Sequence, residues 1–97
     1  MTDTAPSSIR LTVITSRKLL AEEEVQEVTL PSLEGYLGIF PGHRPLMVAL
    51  GRGELSYRAA SKQDSFSVEG GYAEVQPGRV LAFTELFQGE SDGSQTG

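Results

Sequence analysis

The chain of 97 residues has no cysteine and a net charge of −5, which favours one soluble domain in a reducing, cytosolic setting and excludes disulfide and thiolate chemistry. Thirteen acidic residues outnumber eight scattered lysines and arginines, so the clustered positive surface that binds nucleic acid or anionic lipid is not expected. No apolar run approaches the roughly 20 residues that cross a bilayer. The opening stretch MTDTAPSS lacks the basic and apolar regions of a signal peptide.

Short stretches with strand periodicity follow one another along the chain, separated by turn residues. The first begins where apolar Ile9, Leu11 and Val13 alternate with polar residues, as in a half-buried strand. The acidic run Glu22–Glu24 comes next and is interpreted as a solvated face or a turn. Taken in order, the predicted strands are IRLTV, VTLP, YLGIF, LMVAL, ELSYRA, SFSV, EGGYAEV and RVLAFTELF.

The spacing of these stretches indicates the fold class. Strands that recur every eight to twelve residues or so, with turn chemistry between them, are typical of an all-β sandwich or barrel. No stretch has the period of an amphipathic helix, and no repeat or second domain is evident. The sequence therefore predicts one all-β domain over residues 9–87, between an N-terminal tail of residues 1–8 and a polar, disordered tail of residues 88–97.

The only histidine of the chain, His43, lies in the turn PGHRP and is the natural candidate for a general base. Catalysis would also need an activated nucleophile, an orienting partner and an oxyanion site, and the sequence pattern indicates none of them. One histidine without cysteines does not give the spacing of a metal site. The stretch GYLGIFPG lacks the lysine and hydroxyl residue of a phosphate-binding loop. We therefore expect no catalytic residue, no metal and no cofactor.

Two features favour protein binding instead, although each has a plainer alternative. Prolines and glycines stiffen the PGHRP turn, which would lower the entropy cost of presenting His43 and Arg44 to a partner; the alternative is an ordinary exposed turn. The stretch LMVAL is apolar on both faces, whereas an antiparallel sandwich normally leaves one face wet. It is either a fully covered strand or an exposed patch for a partner. The stretch VLAFTELF shows the same double-sided pattern.

The stretch EGYLGIFPGHRPLMVAL, followed by GRGEL, resembles the epsilon subunit of the F-type ATP synthase, which is called delta in mitochondria. Members typically have Glu-Gly-acid-Leu-Gly-Ile, then Pro-Gly-His-Ala-Pro-Leu and a Gly-x-Leu strand. A second family marker, a Gly-Gly pair before an aliphatic-Glu-Val step and a turn, is similar to VEGGYAEVQPGRV. The two motifs have the right order and spacing, and the resemblance covers about residues 8–85. The matching residues of the first motif are Glu34, Gly35, Leu37, Gly38, Ile39, Pro41, Gly42, His43, Pro45 and Leu46.

The resemblance implies a flattened β-sandwich of two mainly antiparallel sheets. It also implies a non-catalytic rotor subunit that links the gamma subunit to the polar loops of the membrane c-ring, at the cytoplasmic face of the bacterial inner membrane. The turns around Tyr36 and His43 would both lie at the c-ring end, and the strand from Leu46 would face gamma. The residues implied to contact the c-ring are Tyr36, Gly42, His43 and Arg44. Those implied to contact gamma are Thr15, Leu20, Leu46, Met47 and Val48.

The sequence also departs from the family pattern. Tyr36 stands where members often have an acid, and Arg44 where they have a small residue, which changes the charge available to a c-ring loop. The family's C-terminal two-helix hairpin has no counterpart in QGESDGSQTG, so ATP binding and an inhibitory role are not expected. Two alternatives stay open. One is a free-standing β-sandwich binding module, although the chain has no tryptophan for a flat carbohydrate site; the other is a small hydrolase built around His43.

Overall fold

The computed structural model describes residues 6–88, and β-strands make up all the regular structure in that range. The strands are β1 (Ile9–Ile14), β2 (Leu19–Val25), β3 (Glu27–Ser32), β4 (Gly35–Ile39), β5 (Leu46–Ala49), β6 (Arg52–Arg58), β7 (Gln63–Gln76) and β8 (Arg79–Leu86). Their side chains alternate between buried and exposed positions, because successive residues of a strand point to opposite faces. In β1, for example, Ile9, Leu11 and Val13 are fully buried, as predicted.

The strands pack in two layers around one apolar core. The first layer has the order β2-β1-β8-β7-β5, and the second has the order β4-β3-β6-β7. Every pair is antiparallel except β1 with β8. The predicted all-β sandwich with mainly antiparallel sheets is therefore confirmed. The largest side chains buried between the layers are Ile9, Leu11, Leu30, Ile39, Leu55, Val13, Val25, Val28, Val68, Val75 and Val80.

Strand β7 belongs to both layers and joins them into one hydrogen-bonded sheet. Its first half pairs with β6, and its second half pairs with β5 and β8. The register shifts at Gly70 and Gly71, which both have a positive φ. A Cβ atom on Gly71 would overlap the carbonyl of Phe83, so this bulge requires glycine. The sequence predicted two strands, SFSV and EGGYAEV, and the structure joins them into one bent strand.

The turns divide between the two ends of the sandwich. We call one the hairpin end; it carries the β1–β2 turn at residues 15–18 and the β3–β4 turn at residues 33–34. The other, the histidine end, carries the loop of residues 40–45 and the β7–β8 turn at residues 77–78. At the histidine end the Gly42 N–H donates a hydrogen bond of 2.7 Å to the Pro77 carbonyl, which fastens the loop to the neighbouring turn.

The acidic run lies in edge strand β2, so the turn interpretation is wrong and the solvated-face interpretation holds for two of its three residues. Glu22 and Glu24 are exposed and lie 3.7 and 3.5 Å from the guanidinium of Arg10 on β1. Glu23 alternates to the other face, where its carboxylate lies 3.0 Å from the Lys62 ammonium. The edge of the first layer that β2 forms therefore carries three carboxylates.

Candidate interaction surface

The outer face of the first layer is apolar near the hairpin end. Strand register brings Ala49, Tyr72, Phe83 and Ile14 into one row across β5, β7, β8 and β1. The Tyr72 and Phe83 rings lie 5.8 Å apart at 38°, a tilted arrangement that aromatic pairs favour. Tyr72 keeps 46% of its surface exposed. We call these four residues the apolar row; clustered apolar surface of this kind commonly marks a protein-binding site.

Polarity rises across this face towards the histidine end. The neighbouring row mixes apolar and polar side chains and is made of Met47, Glu74, Leu81 and Thr12. The row beyond is fully polar and is made of Gln76, Arg79, Arg10 and Glu24. A partner that buries the apolar row would therefore meet one charged side chain, Glu74, in the neighbouring row and a fully polar row beyond it.

Strand β5 carries three of the residues implied to contact gamma, and the structure separates them. Met47 points outwards with 62% of its surface exposed, and Leu46 is 40% exposed at the start of the strand. Val48 is only 6% exposed and pairs with buried Ala73. The implied contact of Val48 is wrong, because its side chain fills the core between the layers. The double-sided pattern of LMVAL thus combines core residues with an exposed outer side.

Thr15 and Leu20, the other two residues of that set, flank the β1–β2 turn. The Thr15 hydroxyl oxygen accepts hydrogen bonds from the backbone N–H groups of Arg17 and Lys18, at 3.0 and 3.1 Å, so it shapes the turn. Leu20 is partly buried against the core. Both residues lie on the β1–β2 side of the first layer, across the sheet from β5. They flank the apolar row on the side away from Met47.

Tyr36 is 61% exposed, yet its side chain has a structural contact. It crosses β3, and its hydroxyl oxygen accepts a 3.0 Å hydrogen bond from the backbone N–H of Glu54 on β6. Opposite Tyr36 on β3 stands Pro31, which lies beyond the paired part of β3 and β6 and whose carbonyl accepts from the Gly51 N–H, at 2.8 Å. The tyrosine oxygen therefore supplies the acceptor for the Glu54 N–H that β3 does not provide. A Cβ atom on Gly53 would lie 2.5 Å from that oxygen, so glycine leaves room for the contact.

The loop that carries His43 is held by its own backbone. The His43 N–H donates a 3.1 Å hydrogen bond to the Phe40 carbonyl, and Nδ1 of its ring lies 2.7 Å from the Arg44 carbonyl. A carbonyl oxygen only accepts, so this contact assigns a proton to Nδ1 and leaves Nε2 for another partner. Gly42 has a φ of +91°, and Arg44 is exposed. These contacts support the predicted stiffness of the turn.

Tyr36 and His43 lie at opposite ends of the sandwich. Strand β4 begins beside Tyr36 at the hairpin end and finishes at Ile39, and the loop with His43 follows at the histidine end. From Tyr36 to Ile39 the extended strand advances roughly 10 Å, at about 3.3 Å per residue, before the loop begins. The implied arrangement, with both turns at the c-ring end, is therefore wrong, because an extended strand separates them. Gly42 and Arg44 lie with His43.

A polar contact ties the two layers together on the β2 side. The buried Tyr57 hydroxyl on β6 donates a 2.8 Å hydrogen bond to the Glu23 carboxylate on β2, which Lys62 also contacts. Burial, followed by the hydrogen bond to Glu23, raises the pKa of Tyr57 to about 12. Hydrogen bonds from Tyr57 and Lys62 lower the pKa of Glu23. On this side, a charged network closes the gap between the layers.

On the other side, an open groove of about 420 Å³ lies between β4 and β5. These strands form the edges of the second and first layers. The wall of the groove near the hairpin end also includes the β3–β4 turn. Its larger apolar side chains are Leu33, Tyr36, Leu37, Leu46, Met47 and Val48. Met47 therefore belongs both to this groove and to the outer face of the first layer.

Chemistry-bearing side chains do not form a comparable cluster in the part of the chain that the structure describes. Within residues 6–88, no group of three His, Asp or Glu side chains could hold a metal ion. The hydrogen bonds of His43 go to backbone carbonyls. No helix in this range is long and apolar enough to cross a membrane. The candidate site is therefore defined by exposed apolar surface, namely the outer face of the first layer and the groove beside it.

Of the aromatic pair at the centre of the apolar row, the sequence pattern indicated Phe83 and did not indicate Tyr72. The double-sided pattern of VLAFTELF puts Phe83 on the face opposite Val80 and Ala82, and the structure makes that face the outer one, because Val80 and Ala82 are buried. Tyr72 directly follows the glycine bulge, which shifts the alternation of β7. The available signal was Ala73 and Val75, whose alternation puts Tyr72 on the face opposite the core.

Residues 8–87 match the family model of the ATP synthase delta/epsilon chain β-sandwich domain. The ATP synthase epsilon chain of Solibacter usitatus is 38% identical over 83 residues, which are 86% of this chain and 62% of the relative. The epsilon chain of Dehalococcoides mccartyi is 37% identical over 79 residues, which are 81% of this chain and 56% of the relative. The chain thus spans about three fifths of the length of the curated relatives it matches.

Solved structures contain the same fold. A chain in the mitochondrial ATP synthase of Euglena gracilis, a structure of OSCP, F1 and c-ring, has a TM-score of 0.80 at 29% identity and is matched over 93% of this chain and 59% of its own length. A chain in the central stalk and c-ring of the Tetrahymena thermophila enzyme has a TM-score of 0.73 at 22% identity, over 95% of this chain and 75% of its own. The second likeness concerns the fold alone.

Proposed function

We propose that this chain, which belongs to the ATP synthase delta/epsilon β-sandwich family, is a non-catalytic central-stalk subunit of an F-type ATP synthase. In that role it binds the gamma subunit and the c-ring and supports the coupling of ion flow to ATP synthesis. Its partners would hold it at the cytoplasmic face of a bacterial inner membrane. The Euglena relative, which occurs in a complex with F1 and a c-ring, supports this role.

The observation that carries the proposal is the apolar outer face of the first layer. Tyr72 and Met47 are exposed there although the chain carries a net charge of −5. Large exposed apolar side chains that gather on one face favour a permanent partner, because that partner removes them from water. We assign this face to the gamma subunit, with Met47 at one edge. Leu46 and Leu20 would contact gamma beside this face, since Leu46 lies in register with buried Val75 and Leu20 packs partly against the core.

The hairpin end is our candidate for the c-ring contact. Its two turns carry the exposed charges of Arg17, Lys18 and Glu34, which suit the polar loops of a ring. This end also adjoins the apolar row, so gamma and the ring would contact neighbouring surfaces of one subunit. Tyr36 belongs to this end, whereas Gly42, His43 and Arg44 lie at the other.

Native mass spectrometry with a purified gamma subunit tests the proposal. We expect a stoichiometric complex of this chain with gamma that persists at physiological salt, because the contact is mainly apolar. A complex that fails to form at micromolar concentrations would instead favour the free-standing binding module.

Cross-linking tests the choice of end. The chain has no cysteine, so Glu34→Cys at the hairpin end and Arg44→Cys at the histidine end form a matched pair of exposed, charged positions. In a reconstituted rotor with a cysteine in the c-ring loop, we expect a disulfide with Glu34→Cys only. A disulfide with Arg44→Cys alone would place the ring at the histidine end.

A further inference from the structure

The outer edge of β4 is unprotected. Strand β4 ends the second layer and pairs only with β3 in the part of the chain that the structure describes. An unpaired edge exposes backbone N–H and C=O groups to pairing with other chains, and proteins usually guard such edges with charged side chains. Here no lysine, arginine or acidic residue occurs from Gly35 to His43.

The opposite side of the sandwich shows the usual protection. Edge strand β2 carries Glu22, Glu23 and Glu24 in succession, with Arg10 and Lys62 as ion-pair partners. A strand approaching β2 would have to displace or pair these charges. A strand approaching β4 would meet none until Glu34 at one end or Arg44 at the other.

The surface beside the β4 edge suits an extended segment. The groove between β4 and β5 follows this edge and is lined by Leu37, which is partly buried against the core, and by Leu46, which is exposed. In strand addition, backbone hydrogen bonds to the free edge supply affinity, and pockets for every second side chain supply specificity. Both parts of that recognition mode lie next to each other here.

We infer that the β4 edge receives an extended segment of the gamma subunit, which adds a strand to the second layer and places alternate apolar side chains in the groove. The inference rests on the proposed function. The gamma subunit is the favoured occupant because Met47 lines the groove and also belongs to the outer face assigned to gamma, so one partner covers both without a gap. Glu34 and Arg44 at the two ends select a segment with a basic residue at the first and an acidic residue at the second.

Hydrogen–deuterium exchange on the complex with gamma tests this inference. We expect the alternate amides of residues 35–39 that point away from β3 to exchange at least roughly tenfold more slowly in the complex than in the free chain, because added strand bonds protect them. Amides of β2, at the guarded edge, should be unchanged. If the complex forms and residues 35–39 keep their free exchange rates, the strand addition is wrong while the gamma-binding role stands. If no complex forms, both are wrong.

A matched pair of lysine variants gives a second test. Gly38 lies on β4, and a Cβ atom there would contact only Phe40, at 3.9 Å; Gly38→Lys therefore adds a charge to the edge without disturbing the fold. Ser56 lies in the same cross-strand row, two strands further in, and Ser56→Lys is the control. We expect Gly38→Lys to weaken gamma binding by roughly tenfold or more and Ser56→Lys by less than about twofold. Equal effects, or a homodimer of the unmodified chain that Gly38→Lys abolishes while gamma binding persists, would overturn the inference.

Discussion

The two layers of this sandwich share one core but present very different outer faces. Outside the first layer, Tyr72 and Phe83 form the centre of an apolar row, with exposed Met47 beside it. Outside the second layer, the central row is small and mostly polar. It is made of Gly38, Thr29, Ser56 and Ser65.

This difference separates the demands of folding from those of binding. The buried faces of both layers follow the alternation that a core requires, so they carry little information about a partner. The outer face of the second layer has a polar central row, and its exposed aromatic Tyr36 is engaged in a hydrogen bond with the Glu54 N–H. The apolar outer face of the first layer exceeds what folding requires, and the excess indicates a contact surface.

The largest expected effect distinguishes the two faces of a single strand in the first layer. Val48→Asp places a carboxylate in the core and should cost about 3 kcal/mol or more of unfolding free energy, because the charge has no buried partner. Met47→Asp, one residue earlier on the exposed face, should change stability by less than about 0.5 kcal/mol. Urea unfolding of both variants checks this; similar losses would mean that Met47 also belongs to the core.

The second prediction concerns the glycine bulge at which β7 passes from one layer to the other. Gly71→Ala should lose roughly 2–4 kcal/mol, because its Cβ atom would overlap the Phe83 carbonyl at a φ of +94°. Gly70→Ala is the matched control: its φ is +76° but no atom lies within 4 Å of the added carbon, so about 1 kcal/mol is expected. Chemical denaturation measures both, and equal losses would show that steric overlap is not the deciding factor.

The hydrogen bond between Tyr57 and Glu23, which joins the two layers, should make the free energy of unfolding depend on pH. Glu23 has a lowered pKa in the folded state, so its contribution is present above its ordinary value of 4.5 and is lost as the pH falls through the lowered pKa. Tyr57 has a raised pKa of about 12, so its contribution is complete below pH 10 and is lost between about pH 10 and 12.

Tyr57→Phe tests this linkage. The variant should lower the melting temperature by a few degrees at pH 7 and remove the decline above pH 10, because the hydroxyl that donates to Glu23 is gone. Tyr72→Phe, a change to an exposed tyrosine of the apolar row, should leave the pH profile unchanged. If the melting temperature of Tyr57→Phe depends on pH as that of the unmodified chain does, the hydrogen bond between Tyr57 and Glu23 does not contribute to stability.

The smallest effect is expected in a loop that belongs to neither outer face. His43→Ala removes a side chain whose one hydrogen bond in the described part of the chain reaches the Arg44 carbonyl. We expect a change in unfolding free energy within about 0.5 kcal/mol. Thermal unfolding followed by circular dichroism measures it, and a loss of several degrees would show that His43 is a packed structural residue.

Much of the fold follows from local pattern alone. Alternation identifies β1, whose residues Ile9, Leu11 and Val13 all lie in the core. The bend in β7 escaped prediction, because a glycine pair indicates a turn as readily as a bulge when only neighbouring residues are considered. Its close contact with Phe83 is a tertiary feature that no local pattern contains.

The candidate site was harder to predict, because it depends on direction and distance. Apolar LMVAL suggested a contact surface, but its alternation did not specify that Val48 points inwards and Met47 outwards. Tyr36 and His43 are close in sequence and belong to one motif, yet an extended strand carries them to opposite ends. That two residues belong to one family motif therefore indicated the family of the chain, but it did not show that the two residues share a surface.

The central claim is that the outer face of the first layer binds gamma and that of the second layer does not, and one binding measurement tests it directly. Affinity for gamma should be measured by calorimetric titration for Met47→Asp and for Ser65→Asp, which adds the same charge to the exposed outer face of the second layer. The account predicts that Met47→Asp weakens binding by roughly tenfold or more, because a carboxylate would be desolvated without a partner, and that Ser65→Asp changes it by less than about twofold. If both variants fold and bind gamma as tightly as the unmodified chain, or if Ser65→Asp has the larger effect, the claim is contradicted.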